Sequence, residues 1–346
     1  MAVGPILRGK RELMARGMFW SGTASMLSHL PAKDSLLILT YHRIGDHEND
    51  LFDPGVFSAT GEQFDEQISY LKRFHSLVTL EEALAYVEGT DKDKTRRCRV
   101  LITFDDGYLD NYRIAYPILS SHGAQGVFFL ATNLVGSGYV PWWDHIAYLV
   151  KTAEKRQFSI SYPAHLDVDV DKNGLKASLR DILDRCEMPE NMDPKRFIRE
   201  LKEAAGGKDL PTEMRRFLNW DEAREMINGG MAIGAHTHSH PRLSRLGREE
   251  QHKELTQCRA ILAEKLGIDA NVLAYPFGSV TAFSDQTQRI AEETGYRAAF
   301  SYYGGMTNQQ GAIERFNLKR VPVAGQSRAR FEVQMGVCRL TGSFWP

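Results

Sequence analysis

Val100-Leu101-Ile102-Thr103-Phe104-Asp105-Asp106-Gly107 is an apolar run that ends in two carboxylates and a glycine. A near-continuous apolar, β-branched run reads as a strand covered on both faces. Its C-terminal edge therefore delivers two adjacent acids, and Gly107 permits a sharp turn directly after them. A second run repeats the pattern. Residues 231–236 are apolar and open into His236-Thr237-His238-Ser239-His240. Outward from these two, residues 36–42, 126–131, 271–275, 297–302 and 318–323 read the same way, giving about seven strands with 100–104 and 231–236.

Helix signals fall between them. Thr79 with Glu82 forms a capping box for a helix over 81–87. A helix over 221–228 stops at Gly229-Gly230, one over 249–266 at Gly267, and one over 286–294 at Gly295. Alternating strands and helices imply parallel strands joined by right-handed crossovers. Polar motifs end four different strands: Tyr41-His42-Arg43, Asp105-Asp106, His236 to His240, and Tyr275-Pro276-Phe277-Gly278. An open sheet focuses a site at one switch point. Four convergent ends favour a closed or nearly closed α/β barrel. Residues 140–218 contain no clear barrel strand and read as a mostly helical insertion, including 175–186 and 194–205. Residues 1–34 read as a helical extension of a domain spanning 35–346.

Net charge is −1, which gives no support for nucleic-acid binding. Cys98, Cys186, Cys258 and Cys338 are far apart and read as buried free thiols, pointing to a reducing, cytoplasmic setting. Arg8, Lys10, Arg11 and Arg16 precede Met18-Phe19-Trp20 and Met26-Leu27. Serines and His29 interrupt that apolar run, and no small-x-small cleavage site follows. The segment reads either as a helix packed on the domain or as an amphipathic helix in peripheral contact with a membrane.

The two leading motifs supply a metal site. His236 and His240 share a face if the chain turns tightly after its strand. Imidazole suits zinc and other late divalent ions, and a carboxylate from Asp105-Asp106 supplies a third ligand with a position left for water. Adjacent carboxylates on extended backbone point in opposite directions, so one can bind metal while the other faces the reacting water. His238 points to the other side of the turn and stays out of the ligand set.

Thr103-Phe104-Asp105-Asp106-Gly107 followed by His236-Thr237-His238-Ser239-His240-Pro241 resembles the first two signature motifs of the polysaccharide deacetylase (NodB-homology) family. Tyr275-Pro276-Phe277-Gly278 is similar to its third. The resemblance covers roughly residues 36–323 apart from the insertion. It implies a distorted (β/α) barrel of about seven strands and a metal-dependent hydrolase of carbon–nitrogen bonds in linear amides. The expected reaction removes N-acetyl groups from amino sugars of a polysaccharide or its precursor. It also implies that Asp106, His236 and His240 bind the metal, usually zinc, and that Asp105 is the general base. The Phe277 N–H would help hold the oxyanion, with Tyr275 and Pro276 shaping the groove.

Two positions depart from the family pattern. Ala274 stands where an arginine usually orients the base, and no histidine follows His252. The early Tyr41-His42-Arg43 resembles a subgroup with permuted motif order, which makes His42 the candidate general acid and Arg43 or Arg320 the replacement arginine. Trp142 and Trp143 either stack on sugar rings or pack within the insertion. Asp144 and His145 read as a satisfied surface pair. Other readings remain open: a deformylase or deacetylase of a lipid-linked sugar, and an inactive sugar-binding barrel.

Overall fold

The apolar runs form seven parallel strands: Ser35–Tyr41 (β1), Cys98–Phe104 (β2), Gly126–Leu130 (β3), Ala232–Ala235 (β4), Val272–Ala274 (β5), Ala298–Phe300 (β6) and Val321–Pro322 (β7). The structure is a computed structural model that describes residues 5–91, 98–187, 193–211, 214–308 and 313–343, with side chains from residue 12 onward except those of Ser25 and Glu187. The strand order is β6-β5-β4-β3-β2-β1-β7. One parallel bridge, Phe300 to Leu318, links β6 to the residues entering β7. There Leu318 N–H donates to Ala299 O at 2.9 Å and Ser301 N–H to Leu318 O at 3.0 Å. The fold is thus a distorted (β/α) barrel with a narrow seam between its last two strands.

Both faces of the strands are buried, as the lack of alternation requires. One alternating set, Leu36, Ile38, Leu101, Val127, Phe129, Val272, Ala274 and Phe300, packs together with helix Leu80–Val87. The other set includes Leu37, Leu39, Tyr41, Val100, Ile102, Phe104 and Phe128. It packs on helices Gly61–Phe74 and Arg248–Leu266 through Phe64, Ile68, Leu255, Cys258 and Leu262. Phe104 stacks on Phe128 with ring centroids 4.6 Å apart. Asp105 lies four residues after Leu101 in this alternation. Thr79 and Glu82 cap their helix reciprocally as expected, and the helices at 220–228, 248–266 and 285–293 start and stop within a residue of the expected positions.

The chain forms two compact units. The barrel unit takes in the described residues up to Gly45, Phe57–Ser137 and those from Phe217 onward. Helices Pro5–Trp20 and Thr23–His29 belong to it: Ala15 and Ala24 are buried beside Val333 of helix Arg328–Thr341. The expectation built on Arg8, Lys10 and Arg11 falls on side chains outside the described set. No described helix is long and apolar enough to cross a membrane. All four cysteines are buried and outside any disulfide, and burial pushes the Cys98 and Cys258 thiols up to about 12.

The second unit comprises Gly138–Arg216 together with Asp46–Val56, a segment the sequence reading did not associate with the insertion. Helices Trp142–Lys151, Leu175–Glu187 and Pro194–Ala205 cover an antiparallel hairpin, Gln157–Ile160 and Leu166–Asp169. Ile146, Leu149, Phe158, Ile160, Leu166, Val168, Ile182 and Phe197 form its core, and Trp142 packs against that core. Asp144 corrects the surface-pair expectation. It is fully buried, accepts from Arg216 at 2.8 Å, and caps the Asp53 N–H at 3.1 Å. Burial forces that partnership, because a lone carboxylate would lose its hydration uncompensated.

Candidate functional site

β2 runs directly into Asp105 and Asp106, whose environments diverge at once. Asp105 N–H still donates to Tyr41 O at 3.0 Å, continuing the pairing with β1. Asp106 has φ 75° and Gly107 φ 78°. The two carboxylates therefore separate through a left-handed turn and not through extended alternation. A Cβ on Gly107 would lie 2.7 Å from Leu130 Cδ2, so the turn requires glycine on steric as well as conformational grounds.

Asp106 Oδ1 lies 3.3 Å from His236 Nε2 and 3.2 Å from His240 Nε2. This buried oxygen has no well-aligned hydrogen bond among the described residues. One ligand atom from each residue falls within 4.8 Å of the others, the one such group of three among the described residues. His236 Nδ1 sits 2.8 Å from Ala274 O. Donation to that carbonyl places a ring proton on Nδ1 and turns Nε2 toward Asp106. The turn after β4 is tight rather than helical: Thr237 and His240 have φ 65° and 59°, and Thr237 Oγ1 accepts from His240 N–H at 3.1 Å. His238 points elsewhere, with Nδ1 2.9 Å from Thr132 Oγ1. Burial would raise the Asp106 pKa, but the two imidazoles outweigh it and hold the carboxyl well below its usual range. An ionised carboxylate and two imidazoles around a polar atom lacking its normal partner fit a divalent cation.

Asp105 has a different partner. Arg320, fully buried just before β7, grips it with two parallel bonds, Nη1 to Oδ1 at 2.8 Å and Nη2 to Oδ2 at 2.7 Å. Arg320 is itself fixed by Nε donating to Ser301 O at 2.7 Å and Nη1 to Thr103 Oγ1 at 3.2 Å. Burial acts to raise the Asp105 pKa. Arg320, then His236, overcome it and keep the acid below its ordinary value. Arg43 is not brought to Asp105. Its Nε donates to Asp110 Oδ2 at 2.8 Å and its guanidinium lies 3.9 Å from the centroid of Phe57.

His42 follows β1, its ring edge-on to Tyr302 with centroids 5.2 Å apart. Burial lowers its pKa, partly opposed by Asp106 and Asp105. The sequence reading passed over the residues that hold this corner. Asp110 Oδ1 accepts from Ile44 N–H at 3.1 Å, and Asn111 Nδ2 donates to His42 O at 2.7 Å. Their signal was their position, one turn after Asp-Asp-Gly. Glu254 was likewise missed. It accepts from the N–H groups of His238 and Ser239 at 2.9 and 2.8 Å, and from Ser239 Oγ at 2.6 Å.

After β5, Phe277 has φ 61°, and its ring lies 5.2 Å from that of His240. Its N–H donates to no described residue. Tyr275 does not face a groove: it is buried, stacks on Phe283 with centroids 4.2 Å apart, and donates its hydroxyl to Phe316 O at 2.9 Å. An apolar ring whose polar tip already has a backbone partner belongs to the packing behind the loop. Asp106, Thr237, His240 and Phe277 are the described non-glycine residues with positive φ. Such strain persists only where surrounding structure over-determines it.

Residues 92–299, more than half of the chain, match the sequence profile of the polysaccharide deacetylase family. A Bacillus subtilis protein that carries the polysaccharide deacetylase name, YxkH, is 25% identical over 308 residues, covering 87% of this chain and 75% of its own. The poly-beta-1,6-N-acetyl-D-glucosamine N-deacetylase of Staphylococcus epidermidis is 34% identical over 115 residues, 30% of this chain and 39% of that one. Among solved structures, the Streptococcus pyogenes deacetylase PplD in complex with acetate shares the fold, with TM-score 0.55 and 19% identity over 87% of this chain and 97% of that one.

Proposed function

The chain belongs to the polysaccharide deacetylase family, a group of amide hydrolases, and from that premise we propose that it removes N-acetyl groups from amino sugars of a polysaccharide or its precursor with the help of a divalent cation. Asp106, His236 and His240 would hold the cation, and zinc fits a donor set of two imidazoles and one carboxylate. When bound, such an ion acidifies water and polarises an acyl carbonyl.

The chain's own residues supply the proton handling. Asp105 takes the proton from the attacking water, and its ionised state is secured by Arg320. A two-bond clamp also fixes the carboxylate plane, so the base is oriented before substrate arrives. Arg320 thereby fills the role left open by Ala274. The unengaged N–H of Phe277 is available to a developing oxyanion. His42 delivers a proton to the departing amine. Its lowered pKa makes the protonated ring a stronger donor. The N-acetyl reading over the formyl one rests on the Staphylococcus relative, whose named substrate is an N-acetylated glucosamine polymer.

One observation carries this reading: a cation-ready triad stands beside a carboxylate clamped by a buried arginine. Metal analysis combined with acetate and formate release from a panel of N-acylated hexosamine oligomers and lipid-linked amino sugars tests it. Asp105→Asn should retain metal and lose about 10³-fold or more in turnover, whereas His236→Ala should lose metal as well. Sugar binding without release of either acid by the metal-loaded protein would overturn the enzymatic reading.

A further inference from the structure

Helix Pro5–Trp20 carries apolar residues on two faces. One face is used: Ala15 is buried, and Met18 and Phe19 pack with Ala24 and Val333. The other is not. Leu13 and Trp20, seven residues apart and so on one stripe of the helix, are 74% and 82% exposed. Met14 beside them is 58% exposed, and Met26 of the next helix is 65% exposed. These four account for most of the large exposed hydrophobics among the described residues; the others are Leu51, Tyr139 and Val280. Their concentration within fourteen positions is therefore a local feature rather than the normal scatter of apolar surface.

The charge of the same segment is equally uneven. Residues 1–33 contain Arg8, Lys10, Arg11, Arg16 and Lys33 against Glu12 alone, a charge of +4, which leaves −5 on the rest of the chain. Neither helix in this segment can cross a bilayer. An exposed tryptophan and leucine on a helix whose segment is basic, in an otherwise acidic molecule, match what an in-plane interfacial helix presents to anionic headgroups. A second copy of the chain would bring the same positive charge against itself, which disfavours self-association through this face.

We propose that the helix pair Pro5–Trp20 and Thr23–His29 is a peripheral docking surface for an anionic lipid bilayer, with Leu13, Met14, Trp20 and Met26 entering the headgroup boundary. The inference is independent of the reaction proposed above. Helix Pro5–Trp20 is fixed to the barrel unit through its opposite face, so the apolar stripe is already arranged before it meets lipid.

Co-sedimentation of the full-length protein with phosphatidylcholine vesicles, with and without phosphatidylglycerol, tests this. Binding is expected only to the anionic vesicles and is expected to weaken as salt rises. The double variant Leu13→Ser/Trp20→Ser removes two largely exposed side chains, of which Trp20 also meets the Phe19 ring edge-on with centroids 5.9 Å apart. It should keep the wild-type melting temperature and lose at least about tenfold in partitioning. Arg16→Glu should weaken binding with a shallower salt dependence. Absence of wild-type binding, equal binding by the double variant, or a concentration-dependent dimer abolished by that variant without lipid binding would each overturn the proposal.

Discussion

Arg320 decides more than any other single side chain here. It is fully buried, its two terminal nitrogens meet both oxygens of Asp105, and its Nε meets a carbonyl just beyond β6. Removing one member of such a pair leaves the other charge buried without compensation, which costs about 3–5 kcal/mol. Arg320→Met should therefore lower stability by that order in denaturant titrations, while Asp105, freed of its guanidinium, rises toward protonation. The pH–rate profile of the variant should lose activity at a higher pH than the wild type does on the acid side. Arg320→Lys, which keeps the charge and loses the two-point grip, should recover stability better than turnover.

At the scale of elements, the loop after β5 is set by one close approach. Gly278 has φ 54°, and a Cβ there would lie 2.5 Å from the backbone nitrogen of Tyr302. Gly278→Ala should destabilise by about 1–3 kcal/mol and shift the Phe277 N–H with it, lowering turnover more than metal content. Helix Gly61–Phe74 gives a second expectation. His75 at its C-terminal end is pushed down to about 4, chiefly by burial, against the carbonyl of Met335. The folded chain keeps this ring neutral where the unfolded chain takes up a proton, so stability is full above about pH 6.5 and falls as pH drops toward 4. Urea midpoints measured across that window should fall less steeply in His75→Gln than in wild type. That helix was itself readable: Thr60 and Gln63 form a capping box equivalent to that of Thr79 and Glu82. The hairpin of the second unit was readable too, because Phe158, Ile160, Leu166 and Val168 alternate with exposed residues, but its four-residue strands are too short for the pattern to stand out.

For the whole molecule, the seven barrel strands were legible because two-sided burial writes itself as continuous apolar runs. The arginine partner of Asp105 was legible only as a choice between Arg43 and Arg320, because 215 residues separate Asp105 from Arg320 and it is the sheet order β7-β1-β2 that makes them neighbours. The left-handed conformations of Asp106, Thr237, His240 and Phe277 were equally hidden, since none is a glycine. Nor does composition reveal that residues 46–56 join the second unit, since that association is made in space. A cation held between β2 and β4 should tie the barrel together. At a hundredfold excess over its dissociation constant it contributes about 2.7 kcal/mol, so chelation should lower the melting temperature by a few degrees and re-addition should restore it. His236→Ala should melt at one temperature with or without chelator.

The seam between β6 and β7 gives the order of the chain a chemical meaning. All three candidate cation ligands have emerged by residue 240, yet the guanidinium that clamps Asp105, the proposed base, arrives only at residue 320, stitched across the last gap to close. A polypeptide cut short before that point would keep every ligand for the ion and lack an aligned acceptor for the water's proton. On the proposed mechanism, competence would thus be reserved for molecules whose ring has shut.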